Sequence, residues 1–396
     1  MTKMLNKIFS QIDSGMKKVL IFFLVWFFVL NVVGYIANVY EIDNYGHDDE
    51  THGLTWHKVL IAEWLRWDSG FFHDIAGKGY HPEPGDGDYF FTSGVRTAFF
   101  PLYPAIIRYT GQVINADNST LYTIQRLVSI ISIFIAVIFF YKLVRLDEDE
   151  NVGLRSVMYL LLYPSAFFFL AGYSESLFLM LLVSSIYFSR KSNWLLAGVL
   201  GGLAVSSRFV GVLIILPLLY EYLDQRKFKW REIKVDILYL MLVFLGLGIY
   251  MLYLNKSFGN PTMFVDIENS YGKHMTLNIF SVFIKNFMDF FKNPFAVQYI
   301  QHLHEYIAAL LFFVSAIVSY FKLRKSYFIY AISYMLLILL MGNIGSFNRF
   351  VLLAFPVFIL WAKLIKNEFA HQLLIFILAS FLIVFTAFFT IGRWSG

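Results

Sequence analysis

Residues 19–40 read VLIFFLVWFFVLNVVGYIANVY, a run without a single charge. A helix rises 1.5 Å per residue, so this stretch reaches across the roughly 30 Å hydrocarbon core of a bilayer. The basic segment MTKMLNKIFSQIDSGMKK precedes it. A signal-peptide core is about 7–15 residues long and ends at a small-x-small cleavage site. This run is longer and NVVGYIANVY offers no such site, so it is expected to stay as a first spanning helix. Composition extends the reading to the whole chain. Of 396 residues, 58% are hydrophobic and only 15% charged, whereas soluble domains carry about 25% charged and 45–50% apolar residues. So few charges cannot cover so much apolar surface in water. With 9 Pro and no Cys, disorder, a disulfide scaffold and a zinc-thiolate site are excluded. The fold class is therefore an all-α polytopic membrane protein.

Further spans are predicted over Leu121–Val144, Ser156–Gly172, Glu175–Ser189, Trp194–Ser206, Phe209–Tyr222, Ile237–Leu254, Tyr306–Phe321, Tyr327–Met341, Phe350–Leu364 and Leu373–Ile391, about eleven in all. Several fall short of the ~20 residues of a full span; the pair around Ser207-Arg208 reads as two short helices meeting at the outer face. With the amino terminus inside, the cytoplasmic segments hold 19 Lys and Arg, against 9 in the much longer outer loops 41–120 and 255–305. Cytoplasmic loops carry the excess of basic residues. The net charge of +5 is thus an orientation signal and not a nucleic-acid patch. Residues 1–396 form a single domain, since neither outer loop is polar enough to stand alone. Val59–Phe72 and Phe99–Arg108 are apolar, and Phe280, Phe283, Ile284, Phe287 and Phe291 share one face of an expected interfacial helix. No transporter-type repeat or low-complexity stretch is present.

Four polar clusters interrupt apolar surroundings, and an ionisable residue there marks a functional site by default. They are Arg66-Trp67-Asp68-Ser69-Gly70, Tyr173-Ser174-Glu175, Ser206-Ser207-Arg208 and Gly345-Ser346-Phe347-Asn348-Arg349-Phe350. One carboxylate with several arginines fits base-assisted attack on a phosphate-linked donor: the acid takes the acceptor's proton and the cations hold the departing phosphate. Each cluster also has a structural reading. Asp68 could cap a helix starting near Phe71, Glu175 could answer a helix dipole, and Arg208 could snorkel to headgroups. Arg349, near a helix amino end, would be repelled by the dipole unless an anion lay between them. Two patterns are read as decoys. Asp86-Gly87-Asp88 spells a metal-binding D-x-D, but it falls in an outer loop where nucleotide sugars are absent. His47-Asp48-Asp49-Glu50-Thr51-His52 lacks helical His spacing and reads as a solvated turn.

Taken in order, the stretches RWDSGFFHDIAGKGY (66–80), AFFPLYPAIIR (98–108), YPSAFFFLAGYSESLF (163–178), LAGVLGGLAVSSRFVGVLIILP (196–217), NRFVLLAFPVFILWA (348–362) and FFTIGRW (388–394) resemble the PIG-V family of membrane mannosyltransferases, bacterial members above all, within the GT-C class. The resemblance covers most of the chain and is weakest over 255–305. It implies transfer of mannose or another hexose from a polyprenyl-phosphate donor to a lipid or glycan acceptor at the non-cytoplasmic face. Inversion at the anomeric carbon is implied, with a site opening laterally to lipid. It points to Asp68 as the essential carboxylate, with Arg66, Trp67, Tyr103, Tyr173, Glu175, Arg208, Asn348 and Arg349 as substrate-binding candidates. Asp74 is the nearest second acid and Arg108 a loop-helix cation. No cofactor is expected, a divalent metal is not favoured, and a bacterial plasma membrane fits the absence of Cys. A lipid-linked sugar flippase is the alternative from another class; a transporter would place its charges near the midplane.

Overall fold

The computed structural model describes residues 13–45, 60–80, 95–270, 288, 297–341 and 346–393. The D-x-D at 86–88, the His47–His52 cluster, Gly345 and the expected interfacial helix apart from Met288 lie outside these. Among the described residues the chain is helical throughout, with no strand. Five helical stretches are long and apolar enough to cross a membrane: Ser14–Tyr40, Asn118–Val144, Val235–Phe258, Leu303–Lys322 and Glu368–Thr390. They belong to α1 (Ser14–Tyr45), α4 (Asn118–Val144), α9 (Leu242–Phe258, entered through a 3₁₀ segment Val235–Met241), α11 (Val297–Lys322) and α15 (Glu368–Thr390). Their outward faces stay apolar, with Phe28 67%, Phe321 74% and Phe376 70% exposed. That surface requires a lipid solvent.

The remaining helices are shorter: α2 (Ser69–Lys78), α3 (Leu102–Val113), α5 (Glu150–Leu162), α6 (Glu175–Arg190), α7 (Trp194–Ser207), α8 (Ile215–Gln225), α10 (Met263–Ser270), α12 (Lys325–Leu340), α13 (Phe347–Val351) and α14 (Pro356–Leu364). Four of the expected spans are interrupted, 237–254 by the 3₁₀ segment that leads into α9. The stretch 156–172 leaves α-helical form after Leu162, because Pro164 disfavours helix at Tyr163, and continues as a 3₁₀ turn over Ala166–Phe169. The stretch 350–364 divides into α13 and α14, the second starting at Pro356, whose fixed φ suits a first helical turn. The stretch 209–222 begins as a 3₁₀ segment, Phe209–Ile214, before α8. These breaks release backbone groups that side chains then bind.

Several starts carry the caps that their sequences offer. Asp117 accepts from Thr120 N at 2.8 Å, Asp149 from Val152 N at 2.9 Å, Asn193 from Leu196 N at 3.1 Å and Asn367 from Ala370 N at 3.0 Å. Each such bond answers an orphan amide of a first turn and contributes about 1 kcal/mol. Asp68 occupies the same position at the start of α2 yet makes no side-chain cap bond. Its carboxylate is engaged elsewhere.

At the centre, α6 packs against both α4 and α7, and most of its side chains are buried. A helix buried on nearly every side fixes whatever stands at its ends. At the Arg190 end, Arg190 binds Asp147 at 2.6 Å, and the buried Glu221 accepts from Arg324 at 2.6 and 2.9 Å and from Ser326 at 2.5 Å. Glu175 stands at the other end.

Helices α7 and α9 meet through glycine. A Cβ on Gly246 would fall on the Gly202 carbonyl oxygen, and one on Gly202 would fall on the Leu242 carbonyl oxygen. Small residues let membrane helices approach to backbone contact. Gly246→Ala is therefore expected to force the pair apart and cost about 1–3 kcal/mol, the usual penalty for overpacking. Thermal unfolding of the purified protein in detergent checks this; an unchanged midpoint would mean that α9 slides without loss.

Candidate functional site

The backbone that presents Asp68 is a strained, pinned turn. Trp67 adopts φ 48°, the left-handed region that non-glycine residues seldom enter. The Tyr173 hydroxyl donates to Arg66 O at 2.8 Å, and Ser69 Oγ donates to the same oxygen at 2.9 Å. From α4, Gln125 Nε2 donates to Ser69 O at 2.9 Å and to Gly172 O at 2.8 Å. Two buried side chains from other elements thus hold this turn beside the Tyr173-Ser174-Glu175 turn. Strain that the surroundings over-determine is a recurrent feature of functional sites.

On this frame stands a chain of four charges. Arg349 Nη1 donates to Asp68 Oδ2 at 2.6 Å, and Arg349 Nε donates to Glu175 Oε1. Arg208 Nη1 reaches the same Glu175 oxygen at 2.8 Å and Ser174 Oγ at 3.1 Å. The four sequence clusters, far apart along the chain, therefore meet through their charged members. Glu175 is fully buried, its Oε2 has no hydrogen-bond partner, and the Arg349 side chain is 6% exposed. Asp68 is the open member, with 34% of its side chain exposed. The Arg349 guanidinium also lies 4.4 Å from the centre of the Tyr173 ring, which adds cation–π attraction. Arg208 turns inward to Glu175 instead of snorkelling outward.

Arg349 sits where it does because α13 is held at its start. The Asn348 amide donates to Glu305 Oε2 at 2.7 Å, Tyr163 donates to Asn348 Oδ1 at 3.0 Å, and Ser165 donates to Asn348 O at 2.6 Å. The anions at this helix start are thus the protein's own: Glu305 on the Asn348 amide, Asp68 and Glu175 on the Arg349 guanidinium. Sequence reasoning missed Glu305, which closes the second outer loop at the mouth of an apolar helix; that position was its one signal. It also missed Gln125 and Arg126. Arg126, 2% exposed, donates to Asn31 Oδ1 at 2.6 Å and lies 4.6 Å from the Trp64 ring centre, tying α4 to α1.

Other candidates stand apart from the four charges. Tyr103 is fully buried and its hydroxyl is spent on Gln125 O at 2.8 Å and Ser129 Oγ at 2.7 Å, so it fastens α3 to α4. Arg66 pairs with Glu63 and donates to Thr390 O at 2.8 Å, anchoring the turn to the end of α15. Trp67, 38% exposed, lies 5.3 Å from the Phe389 ring. Asp74 faces the buried Arg96 at 3.7 Å, and Arg108 is half-buried on α3. His73 stacks on Tyr122 and bonds Asn118 at 2.7 Å, and burial holds its imidazole below the usual range. No group of three or more His, Asp and Glu is placed to hold a metal among the described residues.

Residues 100–254 match the sequence model of a family described as dolichyl-phosphate-mannose-protein mannosyltransferase. That stretch contains Tyr173, Glu175 and Arg208; Asp68 and Arg349 flank it. No curated protein matches the sequence. Among solved structures, the oligosaccharyltransferase of Archaeoglobus fulgidus in complex with Zn and sulfate is similar over 92% of this chain and 53% of its own, at 15% identity and TM-score 0.47. ArnT from Cupriavidus metallidurans bound to undecaprenyl phosphate is similar over 77% of this chain and 58% of its own, at 14% identity and TM-score 0.47. The archaeal oligosaccharyltransferase AglB from Archaeoglobus fulgidus, in complex with an inhibitory peptide and a dolichol-phosphate, is similar over 95% and 56% respectively, at 12% identity and TM-score 0.44. The chain spans little more than half the length of these proteins.

Proposed function

We propose that the protein is a membrane glycosyltransferase of the GT-C type, PIG-V-like, moving a hexose from a polyprenyl-phosphate donor to a hydroxyl of a lipid or glycan acceptor. The observation that carries this reading is the Asp68–Arg349–Glu175–Arg208 chain, enclosed by apolar helices and open at one carboxylate. The family match over 100–254 supports the donor class, and the sequence resemblance favours mannose. Asp68 takes the proton of the acceptor hydroxyl as its oxygen attacks the anomeric carbon from the far face. The carbon–oxygen bond to phosphate breaks with its electron pair, so polyprenyl phosphate leaves with a second negative charge and the sugar is inverted. Arg349 and Arg208 stabilise that growing charge. Arg66 and Trp67, which shape the turn, and Tyr173, which backs Arg349, act by placement.

Charge placement along the sequence favours the non-cytoplasmic face for this end of the bundle, with the amino terminus cytoplasmic. Val113, 82% exposed at the end of α3, offers a check in a chain that has no native Cys. A Val113→Cys variant is expected to react with an impermeant maleimide in intact cells; reaction only after permeabilisation overturns the orientation. The function itself is tested with the purified protein in vesicles, given polyprenyl-phosphate mannose labelled in the sugar and a membrane lipid extract as acceptor. Label in a new glycosidic bond is the expected result. Label that crosses the bilayer still on its donor would identify a flippase instead.

A further inference from the structure

We propose that the Asp68–Arg349 ion pair is a latch that an incoming lipid phosphate opens, so that donor binding itself releases the base; this rests on the reading of Asp68 as base and of the arginines as phosphate ligands. The cluster is charge-balanced, with Arg349 and Arg208 against Asp68 and Glu175. An arriving phosphodiester brings a negative charge for which no cation in the cluster is spare. The two carboxylates differ in their freedom to yield. Glu175 is fully buried and holds both arginines, whereas Asp68 is 34% exposed on its side chain and bonded to Arg349 Nη1. Asp68 also stands at the start of α2 without a cap bond, so turning away from Arg349 costs it no cap. Glu175 is thus the permanent partner and Asp68 the exchangeable one.

The exchange changes hydrogen-bond partners and makes or breaks no covalent bond. While the pair stands, Arg349 Nη1 occupies Asp68 Oδ2; a phosphate that takes over the guanidinium leaves that oxygen open to the acceptor hydroxyl. The acceptor's proton then moves to Asp68 only when a donor is in place, which guards the base while the site is empty. Competition of this kind is reciprocal: if phosphate weakens the hold on Asp68, the Asp68 charge must weaken phosphate binding by the same factor.

The test uses the full chain in phosphatidylcholine nanodiscs with farnesyl phosphate as the probe. Asp68→Asn is expected to bind it about 5–150-fold more tightly than wild type, the ordinary range of coupling between sites. Asp68→Ala should do likewise, and Arg349→Gln should bind more weakly than wild type. Unchanged or weaker binding by both Asp68 variants overturns the latch, as does wild-type affinity in Arg349→Gln. Near-normal sugar transfer by Asp68→Asn overturns the base assignment instead, whichever way binding moves. Phosphatidylglycerol added to the nanodisc should leave farnesyl phosphate binding unchanged; competition would show that any headgroup phosphate opens the latch and overturn its assignment to the donor.

Discussion

Asp68→Asn is expected to lower sugar transfer by about two to four orders of magnitude, the range over which a positioned general base acts. Asparagine matches the shape of aspartate and its amide oxygen can still accept from Arg349, so the ion-pair frame loses a charge but not a contact. The turn itself stays in place, because Tyr173 and Gln125 hold the Arg66 and Ser69 carbonyls independently of the carboxylate. Protein yield and thermal midpoint should accordingly remain near wild type, and the loss should appear in turnover at saturating donor. Purified variants assayed with labelled donor decide the matter. Near-normal turnover would make Asp68 a structural counter-ion. Neither remaining acid substitutes easily: Glu175 is sealed from solvent, and Asp74 faces Arg96.

The membrane fold was legible in residues 19–40 and their kind, because a charge-free run long enough to span a bilayer has few other stable settings. The four charges that meet in the candidate site were legible too, since charge amid apolar sequence is expensive and marks itself. Their pairing was not. Nothing local to Asp68 tells its carboxylate to ignore the cap position it occupies, when Asp117, Asp149, Asn193 and Asn367 take theirs. The choice is made by Arg349, which approaches from the far end of the sequence. Glu305 shows the same limit from the other side. One acid at the edge of an outer loop reads as solvated, and only packing reveals the start of α13 against it. Helix breaks at Tyr163 and before Pro356 had a local signal in proline, but the apolar runs around them hid it. Tyr103 shows a related limit. An aromatic hydroxyl within a motif reads the same whether it faces substrate or, as here, closes a contact between α3 and α4.

Arg349→Ala is expected to be as damaging as loss of the base, for a different reason, and the distinction can be measured. A cation fixed beside the phosphate gains value as the leaving group takes its second charge, so it should act on turnover more than on donor affinity. Removal of one such electrostatic group commonly costs about 10²–10³ in turnover. Arg349→Ala also leaves Asp68 and part of Glu175 without their counter-ion, and breaking a buried pair costs about 3–5 kcal/mol of stability. A fall in both turnover and thermal midpoint is therefore expected for Ala. Arg349→Lys separates the two effects. It keeps the charge and much of the stability, but an ammonium lacks the planar fork that bonds Asp68 and Glu175 at once; turnover should be impaired, though less than in Ala. Arg208→Ala should be intermediate, since Glu175 retains Arg349, and Arg108→Ala should be nearly silent. Combining Arg349→Ala with Asp68→Asn is the sharpest check. Groups that act as a unit lose their effects together, so the double variant should be little slower than either single one. Multiplied losses would mean that base and cation work independently, and equal small losses at Arg349, Arg208 and Arg108 would leave these arginines as anchors of the fold alone.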